Sequence, residues 1–242
     1  MKRWVALLLM VLLVITVTCC KKQLQENETG AEPVSYREEL EKVVCKEQNM
    51  EFVYHKEGDY SHVLHIKEVN TTPELTIVKA EGVMMDNMDI AGDTVFRNFE
   101  VKYVIDDKSI REIIRNHDMY KSDGNMETVH SIIPNQIILQ GPLAEGNLWF
   151  QPFVYNGKEM KAQTTLVSIA ENEDGKKIYK TETVVENIEG FPEKTYKEIR
   201  IYEEGKGLVY FQNTLQTDNN QNDILEYKLD FARKVEPAEE NK

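Results

Sequence analysis

Five histidines, three cysteines, nine methionines and 42 acidic residues are the groups in this 242-residue chain from which chemistry could be built. The histidines are His55, His62, His65, His117 and His130. In His62-Val63-Leu64-His65 two imidazoles stand three residues apart, a spacing that on a strand sends them to opposite faces. One metal ion could not meet both, so the pair reads as two ordinary surface or rim histidines. His117-Asp118 with Tyr120 brings acid and base together, yet sequence neighbours seldom form a triad, and the chain has neither a G-x-S-x-G elbow nor an H-E-x-x-H motif. Met84, Met85 and Met88 accompany Asp86 and Asp89. Thioethers can bind Cu(I), but methionine more commonly fills irregular core or loop space, and that is the expectation here. Asp86, Asp89 and Asp93 lack the spacing and the glycine of a calcium loop. Gly205-Lys206-Gly207 is too short for a phosphate-cradling loop and suits a hairpin turn. The sequence therefore predicts no catalytic residue, no metal site and no cofactor, and it does not predict an enzyme.

The cysteines say more about place than about reactivity. Met1-Lys2-Arg3 is a short basic opening, and Trp4 to Val17 is an unbroken apolar run of the length found in secretory signals. Thr18-Cys19-Cys20 follows at once. This resembles a bacterial lipoprotein signal, in which a cysteine receives a diacylglycerol and becomes the mature N-terminus. Cys20 is the preferred lipidated residue, with Cys19 as the alternative. An uncleaved anchor is the competing reading, because a bilayer needs about 17–25 apolar residues. Either reading puts the remainder outside the cytoplasm, and the lipid reading places it on the outer face of the cell membrane. Cys45 alone lies beyond the signal, so no internal disulfide framework is available, and it reads as a small buried apolar residue. The formal charge of −13 disfavours nucleic acid as a partner, because phosphate backbones are met by clustered Lys and Arg.

The elements that would position these groups are mostly strands. Residues 1–20 form the signal, 21–34 a polar tether, 35–235 one folded domain and 236–242 a disordered tail. Ser35-x-x-Glu38 reads as a capping box for a helix of about three turns, with Tyr36, Leu40, Val43 and Val44 on its apolar face. After Met50 come short runs rich in Val, Ile, Tyr, Phe and Thr, at 60–69, 74–83, 94–105, 136–140, 148–155, 161–170, 177–187, 195–202, 207–216 and 223–231. Ser109 to Arg115 fits a helix or a strand. Asp123-Gly124, Asp174-Gly175 and Asn219 to Asp223 are turn signals. Short turns between runs imply an antiparallel meander, since parallel pairing needs crossover helices. The predicted fold is mainly β, a curved sheet, half-barrel or barrel with one short N-terminal helix. Weak echoes at 56–60 and 144–148 leave two lobes open.

Three phrases carry a family resemblance. Leu139-Gln140-Gly141-Pro142-Leu143-Ala144-Glu145-Gly146-Asn147-Leu148-Trp149 resembles the P-L-x-x-G-x-x-W strand opening of uncharacterised lipoproteins common in Gram-positive, spore-forming bacteria. Glu186 to Lys197 is similar to their E-x-V-x-T-P-A-G-T-F/Y-K stretch, although Phe191-Pro192-Glu193-Lys194 replaces the Pro-Ala-Gly turn. Gly205-Lys206-Gly207-Leu208-Val209 is similar to their G-x-G-L-V phrase. The resemblance implies a β-rich lipoprotein domain and brings no activity with it.

Together these features predict a membrane-anchored, non-catalytic binding module whose partner is an unidentified envelope protein or ligand. The first alternative is a carrier of an apolar ligand in a β cavity lined by Trp149, Phe150, Phe153 and Tyr155. A cell-envelope hydrolase is the further alternative, allowed by the compartment and supported by no motif.

Overall fold

A computed structural model describes residues 34–55, 60–86, 95–116, 131–214 and 224–236. Among the described residues from Ser35 onward, one twelve-stranded antiparallel sheet follows a short α-helix, with a 3-10 turn at Pro192–Lys194. The strands are β1 (Met50–His55), β2 (Tyr60–Thr71), β3 (Thr76–Asp86), β4 (Val95–Ile105), β5 (Ser109–Asn116), β6 (Gln136–Gln140), β7 (Leu148–Tyr155), β8 (Lys158–Glu171), β9 (Lys177–Glu186), β10 (Thr195–Glu203), β11 (Gly207–Thr214) and β12 (Ile224–Lys234). Their order is β6-β5-β4-β3-β2-β1-β12-β11-β10-β9-β8-β7, so two six-strand meanders meet where β1 pairs with β12. All the described strands belong to one sheet, and residues 56–59 of the first echo lie outside the described residues.

Closure follows from connectivity. β6 and β7 stand at opposite ends of this order, yet only residues 141–147 join them. Seven residues reach at most about 25 Å. Twelve flat strands would span roughly 53 Å from first to last. The sheet must curl until its ends meet, and bulges at Val53/Tyr54, Ile66/Glu68, Ile110/Arg111, Leu166/Ser168 and Ile201/Tyr202 supply local bending. The result is a nearly closed barrel.

Turn chemistry agrees with the pairing. Asn156 (φ 48°) and Gly157 (φ 76°) make a two-residue turn between β7 and β8. Gly175 (φ 72°) closes the predicted Asp174-Gly175 turn by donating its N–H to Asn172 O at 3.0 Å. Asp123-Gly124 and Asn219 to Asp223 lie outside the described residues. Strand β1 is an element the run-by-run reading omitted, and the ambiguous Ser109 segment is strand β5.

The N-terminal helix corrects the sequence expectation. Helix α1 covers only Arg37–Glu41, and its N-cap is Tyr36 without a side-chain cap. Ser35 instead donates its hydroxyl to Asp107 Oδ1 at 2.7 Å and accepts from Arg37 N–H at 3.4 Å, one residue short of the Glu38 N–H that a capping box engages. The helix stops early because the β10–β11 turn takes its next carbonyls: Gly205 N–H donates to Lys42 O and Gly207 N–H to Val43 O. Leu40, Val43, Val44 and Cys45 are still buried, so the predicted apolar positions are right although the element is shorter. Arg37 Nε at 2.8 Å, the Thr76 hydroxyl at 2.6 Å and Lys46 Nζ at 2.8 Å all donate to the Glu41 carboxylate, pinning α1 to β3. Two apolar clusters fill the barrel. The larger includes Leu40, Phe52, Val78, Leu139 and Trp149, and the smaller holds Ile133, Phe153, Val185, Ile188, Phe191 and Tyr196.

Candidate functional site

The barrel interior holds a polar network whose centre is β10. Its inward row is Tyr196, Glu198, Arg200 and Tyr202, all buried, while Ile199 and Ile201 face the other way and are only half-buried. Arg200 Nε donates to Glu198 Oε1 at 2.6 Å, Nη1 to Glu112 Oε1 at 2.6 Å, and Nη2 to Gln136 Oε1 at 2.7 Å. Glu198 also accepts from Gln136 Nε2 at 2.9 Å and from the Tyr196 hydroxyl at 2.6 Å. Because Glu112 lies on β5 and Gln136 on β6, Arg200 braces opposite walls of the barrel. Thr164 and Thr183 share a hydroxyl contact of 2.9 Å at the margin of this network.

Burial would depress the Arg200 guanidinium, but Glu112 and Glu198 more than offset that and hold it well above its ordinary value. The Tyr196 phenol is pushed up by burial and by the negative charge of Glu198. Tyr54, Tyr103 and Tyr202 are also raised, chiefly by burial. Each of the three donor nitrogens named on Arg200 is thus engaged by another buried group. Such mutual satisfaction is what lets charge sit in a low-dielectric interior, and it makes the network a cross-brace.

Two small cavities adjoin the brace. One, of about 20 Å³, lies among Tyr54, His62, Phe99, Tyr103, Glu112 and Arg200. The other, also about 20 Å³, lies among Val44, Cys45, Phe52, Tyr54 and Tyr202. Each is the size of a single water.

The four aromatic residues expected to line a ligand cavity do not converge. Alternation along β7 sends Trp149, Gln151, Phe153 and Tyr155 inward and Leu148, Phe150, Pro152 and Val154 outward. Trp149 is 3% exposed, packs in the larger cluster, and donates Nε1–H to Ile137 O at 3.0 Å. Phe153 and Tyr155 meet around Phe191 in the smaller cluster, and burial raises the Tyr155 phenol. Phe150 is 47% exposed on the outer face, with Lys161 Nζ 3.8 Å from its ring centroid. Neither described cavity touches any of the four. Trp149 therefore gives the apolar-carrier reading no support.

Other expectations divide. His62 and His65 do point to opposite faces, but His62 is not a surface or rim residue. It is buried, stacked on Tyr54 at 4.4 Å and edge-on to Tyr227 at 4.7 Å, because its parity on β2 matches Leu64 and Ile66. Cys45 is buried, and burial pushes its thiol up. Met84 is a core residue. Cys19, Cys20, Met88, Asp89, Asp93, His117, Asp118, Tyr120 and His130 lie outside the described residues. Among the described residues no group of three or more metal-ligating side chains is assembled. The brace escaped sequence reasoning, which looks for charge on outward faces; its one signal was that Glu198 and Arg200 share parity with Tyr196 and Tyr202.

The remaining feature is the seam between β6 and β7. No ladder joins these strands among the described residues. Two inward side chains of β7 bridge the gap instead. Trp149 holds Ile137 O, Ile137 N–H donates to Gln151 Oε1 at 2.7 Å, and Gln151 Nε2 donates to Asn135 O at 2.9 Å. The family-like phrase at 139–149 forms this corner. It contains the cis Gly141-Pro142 bond and Asn147, whose Nδ2 donates to Gln140 O and Pro142 O.

No family model and no curated protein matches the chain. Two solved structures resemble it. One is a Bacteroides fragilis protein described as exported and as having a YmcC-like fold, with 12% identity, a TM-score of 0.42, and coverage of 79% of this chain and 99% of that one. The other is a Parabacteroides distasonis protein described as a lipoprotein, with 12% identity, a TM-score of 0.41, and coverage of 79% and 98%.

Proposed function

We propose that this protein is a lipoprotein anchored through Cys20, with Cys19 as the alternative, on the outer face of the cell membrane. Its barrel serves there as a non-catalytic binding module for an envelope protein or ligand. The observation that carries the reading is the interior among the described residues: Arg200 and its partners form a buried, mutually bonded network there, and the two described cavities hold about one water each. Contact with another molecule then falls to the outer surface, where β7 presents an apolar row. The anchor rests on the apolar run ending in Thr18-Cys19-Cys20 and on the polar stretch that follows.

Replacing Cys19 and Cys20 together with Ser is expected to move the protein from the membrane fraction to the soluble fraction and to abolish incorporation of an alkynyl fatty acid. Single replacements assign the lipidated residue. Unchanged membrane retention of the double variant would overturn the lipid anchor.

A further inference from the structure

The seam has the chemistry of a strand acceptor. In the two-residue turn at Asn156-Gly157, Tyr155 and Lys158 are the hydrogen-bonded pair. Counting back by two, the residues of β7 that bond β8 are Phe153, Gln151 and Trp149, and Leu166 N–H donating to Asn147 O at 2.8 Å continues the same parity. Leu148, Phe150, Pro152 and Val154 therefore turn their backbone groups away from β8, toward the seam. Pro152 occupies one of these positions, where its missing N–H costs no ladder bond. Among the described residues, that leaves the N–H groups of Leu148, Phe150 and Val154 and four carbonyls aligned along one edge without a partner strand in the sheet.

The side chains of the same four residues make the outward row. Leu148 is 42% exposed and Val154 60% exposed, and the whole strand LWFQPFVY carries no charge in a chain that is 29% charged. Natural sheets protect edges with charges, bulges or a covering element. Among the described residues, β7 has only Pro152 and the side-chain bridges of Trp149 and Gln151. Regularly spaced backbone donors and acceptors beside an apolar row are matched by an extended polypeptide whose own outward side chains are apolar. Lys161, above the Phe150 ring, sets one further feature, a carboxylate on the segment at the position facing Phe150.

We infer that the β6–β7 seam accepts an extended segment of another polypeptide, which pairs with the free edge of β7 and displaces the bridges made by Trp149 and Gln151. This rests on the binding-module reading and names the class of partner for it.

Hydrogen exchange on the purified full-length chain in detergent tests it. The Phe150 and Val154 amides should exchange at least about 100-fold faster than that of Phe153, which sits in the β8 ladder. Protection equal to that of Phe153 would mean that the edge is already paired and would overturn the inference. The probe is an acetylated, amidated nonapeptide of alternating valine and threonine with a lysine at each end. At saturation it should slow both edge amides at least tenfold, and its analogue N-methylated at every second residue should not. No slowing by the parent peptide, or equal slowing by the N-methylated one, overturns strand pairing. Protection that grows with protein concentration alone assigns the edge to a second copy and overturns the partner. A glutamate in place of a central valine, on the face that meets the outward row, should bind about two- to fivefold tighter than a lysine there; no difference overturns the carboxylate assignment. Failure here leaves membrane anchoring and binding through another face standing, whereas failure of the Cys19/Cys20 test removes the anchor and leaves the seam result intact.

Discussion

Removing the buried Arg200 guanidinium is the sharpest test of the cross-brace. In Arg200→Met the side chain keeps most of its volume, so the change isolates charge and hydrogen bonding. Three donors disappear at once, leaving Glu112 and Glu198 buried without their cation and Gln136 Oε1 without its donor. Breaking a buried ion pair by deleting one partner costs about 3–5 kcal/mol. For a body of this size each kcal/mol lowers Tm by about 2–4 °C, so a fall on the order of 10 °C is expected at pH 7. The loss should shrink on acidification. A buried carboxyl that has lost its cation is better tolerated protonated, so the folded variant gains protons relative to the unfolded chain and its stability rises as pH falls. In the parent, the guanidinium is held above its already high ordinary value, so its contribution is complete at every pH below that value and does not vary between pH 5 and 8. Thermal melts followed by circular dichroism at pH 7 and pH 5.5 measure both effects. Adding Glu112→Gln and Glu198→Gln to Arg200→Met should recover part of the loss at pH 7 and flatten the pH dependence. A Tm within 2 °C of the parent at pH 7, or equal losses at both pH values, would show that Arg200 does not brace the barrel.

Two smaller perturbations test how the frame is assembled. Gly82→Ala would place a methyl group 2.1 Å from Phe99 Cζ, so the ring must leave its position over β3; a loss of about 1–3 kcal/mol is expected in urea denaturation, and a neutral result would contradict that packing. Burial raises the Glu41 carboxyl, but donation from Lys46, Thr76 and Arg37 outweighs it and lowers the group from 4.5 to about 2. The cluster therefore stabilises the fold fully above pH 4.5 and loses its effect as pH falls toward 2, with a total on the order of 2 kcal/mol for a carboxylate that keeps some solvent contact. Urea midpoints of the parent and Glu41→Gln should differ at pH 7 and converge near pH 2.5; a constant gap would reject the assignment.

Ten strands and their antiparallel meander could be read from the sequence because Gly and Asn turns punctuate runs of β-branched and aromatic residues, and both signals are local. Facing was readable only where one parity was clearly apolar. In β7, Trp149 and Phe153 share a parity with Gln151, while Leu148, Phe150 and Val154 share the other, so both faces look apolar and pattern alone could not say which was inside. In β10 the pattern misleads outright. Ile199 and Ile201 would ordinarily take the inward face, yet Glu198 and Arg200 take it, because Glu112 and Gln136 on distant strands neutralise and bond them. Those partners lie 88 and 64 residues from Arg200, and no local period records such a pairing. The helix failed for a related reason: Lys42 and Val43 fit a helical period, but their carbonyls are claimed by a turn more than 160 residues later in the chain. Local propensity located the strands, and long-range hydrogen bonding decided which side chains each strand turned inward. The seam follows the same division. Pro152, Asn156 and Gly157 mark β7 as an edge strand ending in a tight turn, but the unpaired edge is defined by β6, which engages β7 through Trp149 and Gln151 and leaves the backbone groups of the outward row for another strand.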